Sequence, residues 1–331
     1  MKPVIRRSLA VAGTLALSAA LVLGGAGTAQ AYPDTAAEVD ALIFSNDNVV
    51  DTSNEYLNEL SDLETIAGTV TPFDGGDGSV GTWLVALSGK DLFVLPEQEN
   101  DLFYVKGGTP WISDAAYQAL KNWVDAGGIM IVNGSGTGGE EIKPVNVDLL
   151  NGFTCLDFTG LLGTVYWDSG EVDIEDGPEL DADQAQFLDA ELQAQIDFEL
   201  LVTLPGAPDP LASRDGTYTL YTPAWPAAVQ NIATNVYASN DPAGETAVVT
   251  FGVGAGAVLY LGYDWWELDS DQWYDVLTLA VAGDLPYKPQ APACALAATG
   301  SEVPVAPFAA LAGALLLAGA AAVVVVRRRA A

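Results

Sequence analysis

The chain has 331 residues, with 12 basic and 44 acidic side chains, a formal net charge of −32 and no histidine. The lack of histidine excludes Ser-His-Asp and Cys-His nucleophiles and histidine-based zinc sites, and two cysteines are too few for an all-cysteine zinc site. The remaining catalytic groups are therefore carboxylates, lysine, tyrosine or an oxygen-bound metal. The acidity of the chain excludes nucleic acid as a partner.

Residues 1–31 have the pattern of a secretory signal peptide. Basic residues at the start precede a largely apolar run, residues 9–24, and an A-x-A cleavage motif ends at Ala31. Cleavage before Tyr32 is therefore expected. We predict an exported protein and exclude this segment from the fold.

The exported region, residues 32–299, is more acidic than the whole chain. Six of the 12 basic residues lie outside it and all but one of the 44 acidic residues lie inside it, which leaves a net charge of −37. We interpret this charge chiefly as surface solvation at the cell exterior. The acidic residues between positions 173 and 183 are also suited to calcium, although they lack the EF-hand spacing. We predict no cofactor, with calcium as an open alternative.

Apolar runs alternate with helical periodicity in the first half of this region. We predict strands over residues 41–44, 69–73, 92–95 and 129–132. Helices are expected after a capping box at Thr52 and Glu55, over residues 80–87 and over residues 113–126. Strands that are apolar throughout and separated by helices favour a parallel sheet covered on both faces. In the second half we predict strands over residues 217–221, 231–237, 247–251 and 257–263, and helices over 182–196 and 271–282.

This order of elements resembles the class I glutamine amidotransferase-like fold, a flavodoxin-like layered α/β domain. The resemblance rests on VLPEQE after the third strand, LKNWVDAGGIMIVNG around the fourth and GAGAVLYLGYDWW near the end. It implies an α/β domain over residues 32–283, with a mainly parallel central sheet and extra strands in the second half. Glutamine hydrolysis in that family uses a Cys nucleophile with a His–Glu pair, but here the fourth strand leads into Asn133 and Gly134 without a Cys. The resemblance thus implies the scaffold without its chemistry.

Polar residues follow the predicted parallel strands where such sheets bind ligands, beyond their carboxyl ends. These candidate site residues are Asp47, Asp74, Glu97, Glu99, Asn133, Asp264, Trp265 and Trp266. Carboxylates beside aromatic rings suit sugars, and packed carboxylates suit a hard cation. The alternative is that the polar residues form turns and that the tryptophans belong to the core. A pair such as Glu97 and Glu99 also allows a carboxylate-dependent hydrolase.

The two cysteines, Cys155 and Cys294, leave two alternatives open. An exported protein can keep a disulfide, which would join the C-terminal linker to the domain. Two inert thiols are equally compatible with the sequence.

The C-terminal residues have the composition of an export stop. Residues 284–295 contain three prolines and are predicted to form an extended linker. Residues 308–326 contain no polar side chain, and 19 residues of helix span roughly 28 Å, about the thickness of the hydrocarbon core of a bilayer. Three arginines follow in residues 327–331, which are therefore expected to stay in the cytoplasm.

A pentapeptide lies between the linker and this apolar span: Leu296, Ala297, Ala298, Thr299 and Gly300. Together with the span and the arginines it resembles the LPXTG-like cell-wall sorting signal of Gram-positive surface proteins, in the LAxTG form that class E sortases read. The resemblance implies cleavage after Thr299 and attachment of its carbonyl to an amine of peptidoglycan. The alternative is a plain C-terminal membrane anchor.

These features predict a secreted, wall-anchored surface protein that is a substrate of a sortase. Its membrane helix holds the precursor before processing. For the acidic α/β domain we favour a non-catalytic binding or structural module, with carbohydrate or a cation as the ligand class. The alternative is a carboxylate-dependent hydrolase that acts on polysaccharide or peptidoglycan.

Overall fold

A β-sheet with helices on both faces organises the protein. The structure is a computed structural model that describes residues 32–50, 52, 55–98, 112–134, 153, 162–166, 197–213, 217–240, 243–263, 265 and 271–288. The predicted signal peptide, sorting signal and membrane helix lie outside these residues, as does the helix predicted over residues 182–196. None of the helices in the described ranges is both long and apolar enough to cross a bilayer.

The strands, in chain order, are β1 (Asp40–Phe44), β2 (Thr69–Phe73), β3 (Leu92–Leu95), β4 (Ile129–Asn133), β5 (Leu162–Tyr166), β6 (Asp197–Leu200), β7 (Leu211–Ala212), β8 (Thr217–Tyr221), β9 (Ala233–Asn240), β10 (Ala243–Val253) and β11 (Gly256–Leu261). The α-helices are α1 (Glu55–Ile66), α2 (Val80–Leu87), α3 (Asp114–Asp125), α4 (Ala227–Ile232) and α5 (Asp271–Val281). Short 3-10 helices cover Ala36–Glu38 and Thr222–Ala224.

The core of the sheet is parallel, as the sequence predicts. Strands β2, β1, β3, β4 and β11 lie side by side in that order, and each neighbouring pair is parallel. Beyond β11 the sheet continues through β10, β9 and β6 with antiparallel pairings, and β8 pairs with the outer part of β10. The structure therefore confirms a mixed α/β fold with a mostly parallel core and extra strands from the second half of the chain.

Each parallel strand contributes to two hydrophobic cores, one on each face of the sheet. In β1, Leu42 and Phe44 lie in one core whereas Ala41 and Ile43 lie in the other. Helices α2 and α3 cover the first face and α1 and α5 cover the second. Because both faces are covered, the strands read as continuous apolar runs rather than as alternating ones.

Aromatic packing fixes α2 on the first face. The indole of Trp83 is fully buried and contacts the rings of Phe44, Phe73 and Phe93, with centroids between 5.0 and 6.0 Å away. Burial of a side chain of this size stabilises the fold by about 3 kcal/mol, and well-oriented ring pairs add to that. This cluster joins α2 to strands β1, β2 and β3.

Helix boundaries follow the capping residues that the sequence contains. Ser113 accepts a hydrogen bond from the backbone N–H of Ala116 at the start of α3, and Ser79 does the same for Thr82 in α2.

Several predicted strand bounds in the second half differ. Strand β10 begins at Ala243 rather than at residue 247, and β11 ends at Leu261 rather than at residue 263. Residues 231 and 232 belong to α4, and β9 begins only at Ala233. The chain there forms a helix of six residues after Pro226 and continues as a strand.

Strand β2 forms the outer edge of the parallel core. Among the described strands it pairs with β1 alone, and Pro72 lies in its middle opposite Ile43. Proline is tolerated at such an edge because a strand there needs N–H donors on one side alone. Thr71 of the same strand accepts a hydrogen bond from Lys90 Nζ at 2.8 Å.

Candidate functional site

The described candidate residues lie at the carboxyl edge of the parallel sheet, but they do not form one site. Asp47 and Asp74 are exposed at the outer strands, whereas Glu97 and Asn133 are buried at the central ones. Glu99, Asp264 and Trp266 lie outside the described residues, as do Cys155 and Cys294. The edge thus divides into an exposed rim and a buried centre.

On the rim, Asp74 has the geometry of a turn. Its side chain accepts a hydrogen bond from the N–H of Gly76 at 2.8 Å, and its carbonyl accepts one from Asn46 Nδ2 at 2.7 Å. Nearby, Asp77 accepts hydrogen bonds from the hydroxyl of Thr82 and from Ser79, which lower the pKa of its carboxyl to about 2. These carboxylates organise the loop that leads into α2.

At the centre, Glu97 packs against a tyrosine from the second half of the chain. Its carboxylate is 8% exposed and accepts a hydrogen bond of 3.2 Å from the hydroxyl of Tyr218 in β8. Because Tyr218 is 121 residues away in sequence, this partner could not be found from local patterns.

Strand β8 enters the carboxyl edge at very close range. The N–H of Tyr218 donates to the carbonyl of Gly262 at 2.6 Å, and the N–H of Gly134 donates to Leu261 at 2.6 Å. A Cβ on Gly262 would lie 2.0 Å from the carbonyl oxygen of Tyr218, and one on Gly134 would lie 2.7 Å from its Cβ. Only glycine allows this approach, so the backbone after β4 and after β11 is packed against β8.

A second carboxylate, that of Glu245, belongs to the same polar cluster as Glu97 and Tyr218. Tyr260 donates its hydroxyl to the carbonyl of Tyr218 at 3.2 Å, and Thr219 donates its hydroxyl to Glu245. Burial raises the pKa of the Tyr260 hydroxyl far above its usual range, and the charges of Glu97 and Glu245 raise it further. Tyr260 therefore remains a neutral hydrogen-bond donor.

A separate cluster lies on the opposite face of the sheet, between α1 and the end of β4. Glu59 is fully buried there, and burial raises the pKa of its carboxyl to about 8. The side-chain amide of Asn133 lowers this pKa and the nearby Asp62 carboxylate raises it. Glu59 is thus mainly protonated at neutral pH and packs as a neutral acid.

The same face of α1 holds Trp265 in the core. Its indole N–H donates to Asp62 at 3.1 Å, and its carbonyl accepts from Asn58 at 3.0 Å. The ring is 2% exposed and meets Tyr263 edge-on at 4.7 Å, while its φ of +59° turns the chain sharply after β11. In this conformation the indole face is covered by protein and stabilises the core.

The chemistry that these groups can perform is limited. The buried residues offer carboxylates, phenols, hydroxyls and an amide, which form hydrogen bonds, and the chain has no histidine to act as a base. In the described ranges, no group of three or more Asp, Glu, His or Cys side chains is placed to hold a metal ion. These ranges therefore provide no set of ligands for the calcium ion considered from the sequence, and the acidic residues 173–183 lie outside them.

Six residues of the two clusters were missed from the sequence: Glu59, Asp62, Tyr218, Thr219, Glu245 and Tyr260. For Glu59 a signal existed, since it lies on the same helical face as Tyr56 and Leu63, and all three are buried. A carboxylate on an apolar helix face points to a polar partner inside the fold. The pairing of β8 with Glu97 left no comparable local signal.

Comparisons with known proteins give distant structural resemblance only. Neither a protein-family model nor a curated protein matches the sequence. A protein described as ThuA-like from Bacteroides uniformis has a TM-score of 0.44 and 11% identity, covering 77% of this chain and 95% of its own. A β-galactosidase from Bacillus circulans has a TM-score of 0.41 and 11% identity, and the match covers 77% of this chain. A β-galactosidase from Halorubrum lacusprofundi has a TM-score of 0.38 and 18% identity, and the match covers 78% of this chain. This chain spans 32% and 31% of those two enzymes, about a third of their length.

Proposed function

We propose that this chain is a secreted, cell-wall-anchored surface protein whose acidic α/β domain is a non-catalytic binding or structural module. The observation that carries the proposal for the domain is the packing of β8 into the carboxyl edge of the parallel sheet. That edge is where open parallel sheets bind their ligands. Here Gly262 lies against the backbone of Tyr218 and Gly134 lies against its side chain, so closely that a Cβ at either position would clash, and this part of the edge is filled by protein.

The scaffold that we propose is amidotransferase-like, and strand order supports it. The order β2-β1-β3-β4-β11 corresponds to the 2-1-3-4-5 order of flavodoxin-like sheets. In the amidotransferase comparison the segment after β4 would carry the nucleophile. Gly134 stands there instead and donates its N–H to Leu261. A scaffold that has lost its nucleophile is consistent with a binding role.

Anchoring is proposed from the sequence. The export signal in residues 1–31 and the ordered pentapeptide, apolar span and arginines after residue 295 support attachment through Thr299 by a class E sortase. Mass spectrometry of wall digests from a host with such a sortase tests this proposal. A peptide that ends at Thr299 and is linked to a wall amine supports it, whereas mature protein that retains Arg327–Arg329 contradicts it and leaves a simple membrane anchor.

The ligand classes that we propose for the domain are carbohydrates and calcium. Among the candidate site residues that the structure describes, the exposed carboxylates are Asp47 and Asp74 on the rim. Binding to a glycan array without turnover supports a carbohydrate-binding module. Calorimetric titration of the domain with calcium chloride tests whether it binds calcium. Release of reducing sugar from wall polysaccharide that disappears in Glu97→Gln would support the hydrolase alternative instead.

A further inference from the structure

Trp265 is attached to helix α1 by two polar side chains of that helix. Asn58 donates its side-chain amide to the carbonyl of Trp265 at 3.0 Å, and the indole N–H of Trp265 donates to Asp62 at 3.1 Å. Asn58 and Asp62 are four residues apart, so both contacts lie on the same side of the helix. We call these two contacts of Trp265 the α1 latch.

The α1 latch holds a backbone conformation that tryptophan rarely adopts. The φ of Trp265 is +59°, in the left-handed region where Cβ crowds the following carbonyl oxygen. A residue stays in this region only where its surroundings hold it there. The described contacts that do so include the latch and the ring of Tyr263 at 4.7 Å. Loss of the latch would therefore allow this backbone to relax.

The buried acid Glu59 lies next to the α1 latch, about 60° around the helix from Asp62. It is fully buried, and neither of its carboxyl oxygens has a hydrogen-bond partner of normal geometry in the described ranges. The amide of Asn133 is near enough to lower the pKa of the carboxyl, but burial outweighs it. A neutral acid can occupy such a position at moderate cost, whereas a carboxylate without donors is strongly disfavoured there.

The surroundings of Glu59 do not compensate a negative charge. The titratable and polar groups on the elements that pack around it are Glu55, Tyr56 and Asp62 on α1, Asn133 on β4, Tyr263 and Trp265 after β11, and Tyr274 and Asp275 on α5. Of these, Asp62 carries the charge that raises the pKa of Glu59. The lysines of the described ranges, Lys90, Lys121 and Lys288, lie in other parts of the fold.

An ionised Glu59 therefore requires water, and the α1 latch lies between it and the solvent. Asn58 and Asp62 are only partly buried, whereas the sheet covers the other side of Glu59. We propose that Glu59 and the α1 latch form an alkaline switch, in which loss of the Glu59 proton to solvent breaks the latch and releases Trp265 while the sheet stays folded. This step involves no ligand and no anchor, so the inference is independent of the function proposed above.

The pH range of the switch follows from the pKa of Glu59 in the folded domain, which burial raises to about 8. A carboxyl with this pKa is about one tenth ionised at pH 7 and about nine tenths ionised at pH 9. We therefore expect the released fraction of Trp265 to rise about tenfold between these two pH values. In Glu59→Gln, which cannot ionise, the released fraction should stay constant.

Acrylamide quenching of tryptophan emission in the full chain, between pH 5 and pH 9, measures this release. The chain has eight tryptophans, so the contribution of Trp265 is the difference between each protein and its Trp265→Phe version. Glu64→Gln is the matched control, because Glu64 lies exposed on the same helix, and it should behave like the unmodified chain. Hydrogen–deuterium exchange of the peptide that contains α1, corrected for the pH dependence of intrinsic exchange, is a second measurement that does not need the phenylalanine variant.

Each result decides for or against the switch. A rise of about tenfold in the unmodified chain and in Glu64→Gln that is absent in Glu59→Gln supports it. A signal that does not change with pH in either measurement overturns it, and so does an equal rise in Glu59→Gln. Loss of the far-ultraviolet circular dichroism signal over the same pH range shows global unfolding and also overturns it.

Discussion

Replacement of the buried acid Glu59 by glutamine should make the domain more stable at alkaline pH. Glutamine has the shape of a protonated glutamic acid but does not ionise. In the folded protein burial raises the pKa of Glu59 to about 8, from a value of 4.5 in the unfolded chain. A carboxyl whose pKa is raised by folding favours the folded state fully below pH 4.5, and this contribution is lost as the pH rises towards 8.

The size of the effect follows from the same two pKa values. Each pH unit over which the carboxyl would ionise only in the unfolded chain costs the folded state about 1.4 kcal/mol. Over the interval from 4.5 to about 8 the loss is roughly 5 kcal/mol, and at pH 7 it is roughly 3 kcal/mol. The stability of Glu59→Gln relative to the unmodified protein should therefore be lowest near pH 4.5, rise up to about pH 8 and level off above that pH.

Urea unfolding at pH 5, 7 and 9, followed by circular dichroism, measures this difference. Glu64→Gln is the matched control, because Glu64 lies exposed on the same helix. Tyrosines and lysines that titrate at pH 9 affect all three proteins alike and cancel in the comparison. Unfolding free energies of Glu59→Gln and the unmodified protein that differ by a constant across this pH range would refute the reasoning.

Three further substitutions test the packing that surrounds the candidate site. Gly262→Ala places a methyl group 2.0 Å from the Tyr218 carbonyl oxygen and should destabilise the domain by about 3 kcal/mol or more, measured by urea unfolding, since backbone cannot move aside as a side chain can. Tyr218→Phe removes the hydrogen bond to Glu97 and should cost about 1–3 kcal/mol in the same assay, because a buried carboxylate oxygen loses its donor; an unchanged midpoint would mean that this bond contributes nothing. Trp83→Ala empties the aromatic cluster on the first face and should cost about 3–5 kcal/mol, with Trp83→Phe losing clearly less by thermal unfolding.

Much of the fold could be predicted because its central strands are apolar along their whole length. Residues 69–73, 80–87 and 92–95 form the expected elements with unchanged bounds. The boundary at Ala233 was missed because a helix of six residues, α4, is too short to display helical periodicity. Local patterns therefore locate the longer elements and become unreliable for an element of fewer than two turns.

The site was harder to predict, because its partners come from distant parts of the chain. The sequence predicts that Glu97 and Asn133 follow the ends of two strands, and in the structure both lie at the carboxyl edge of the parallel core. Their separation onto opposite faces follows from the alternation of side chains along neighbouring strands. Their partners, Tyr218 and Glu59, depend on tertiary packing that spans over 70 residues in each case.

The proline in the middle of β2 has a consequence for how one molecule meets another. In concentrated protein, unpaired strand edges promote edge-to-edge pairing of the sheet of one molecule with that of the next. Pro72 removes an amide donor from this outer strand, and β7, at the far end of the sheet, is two residues long. Among the described strands, these two borders therefore offer only an interrupted or a very short template for pairing with a neighbouring copy.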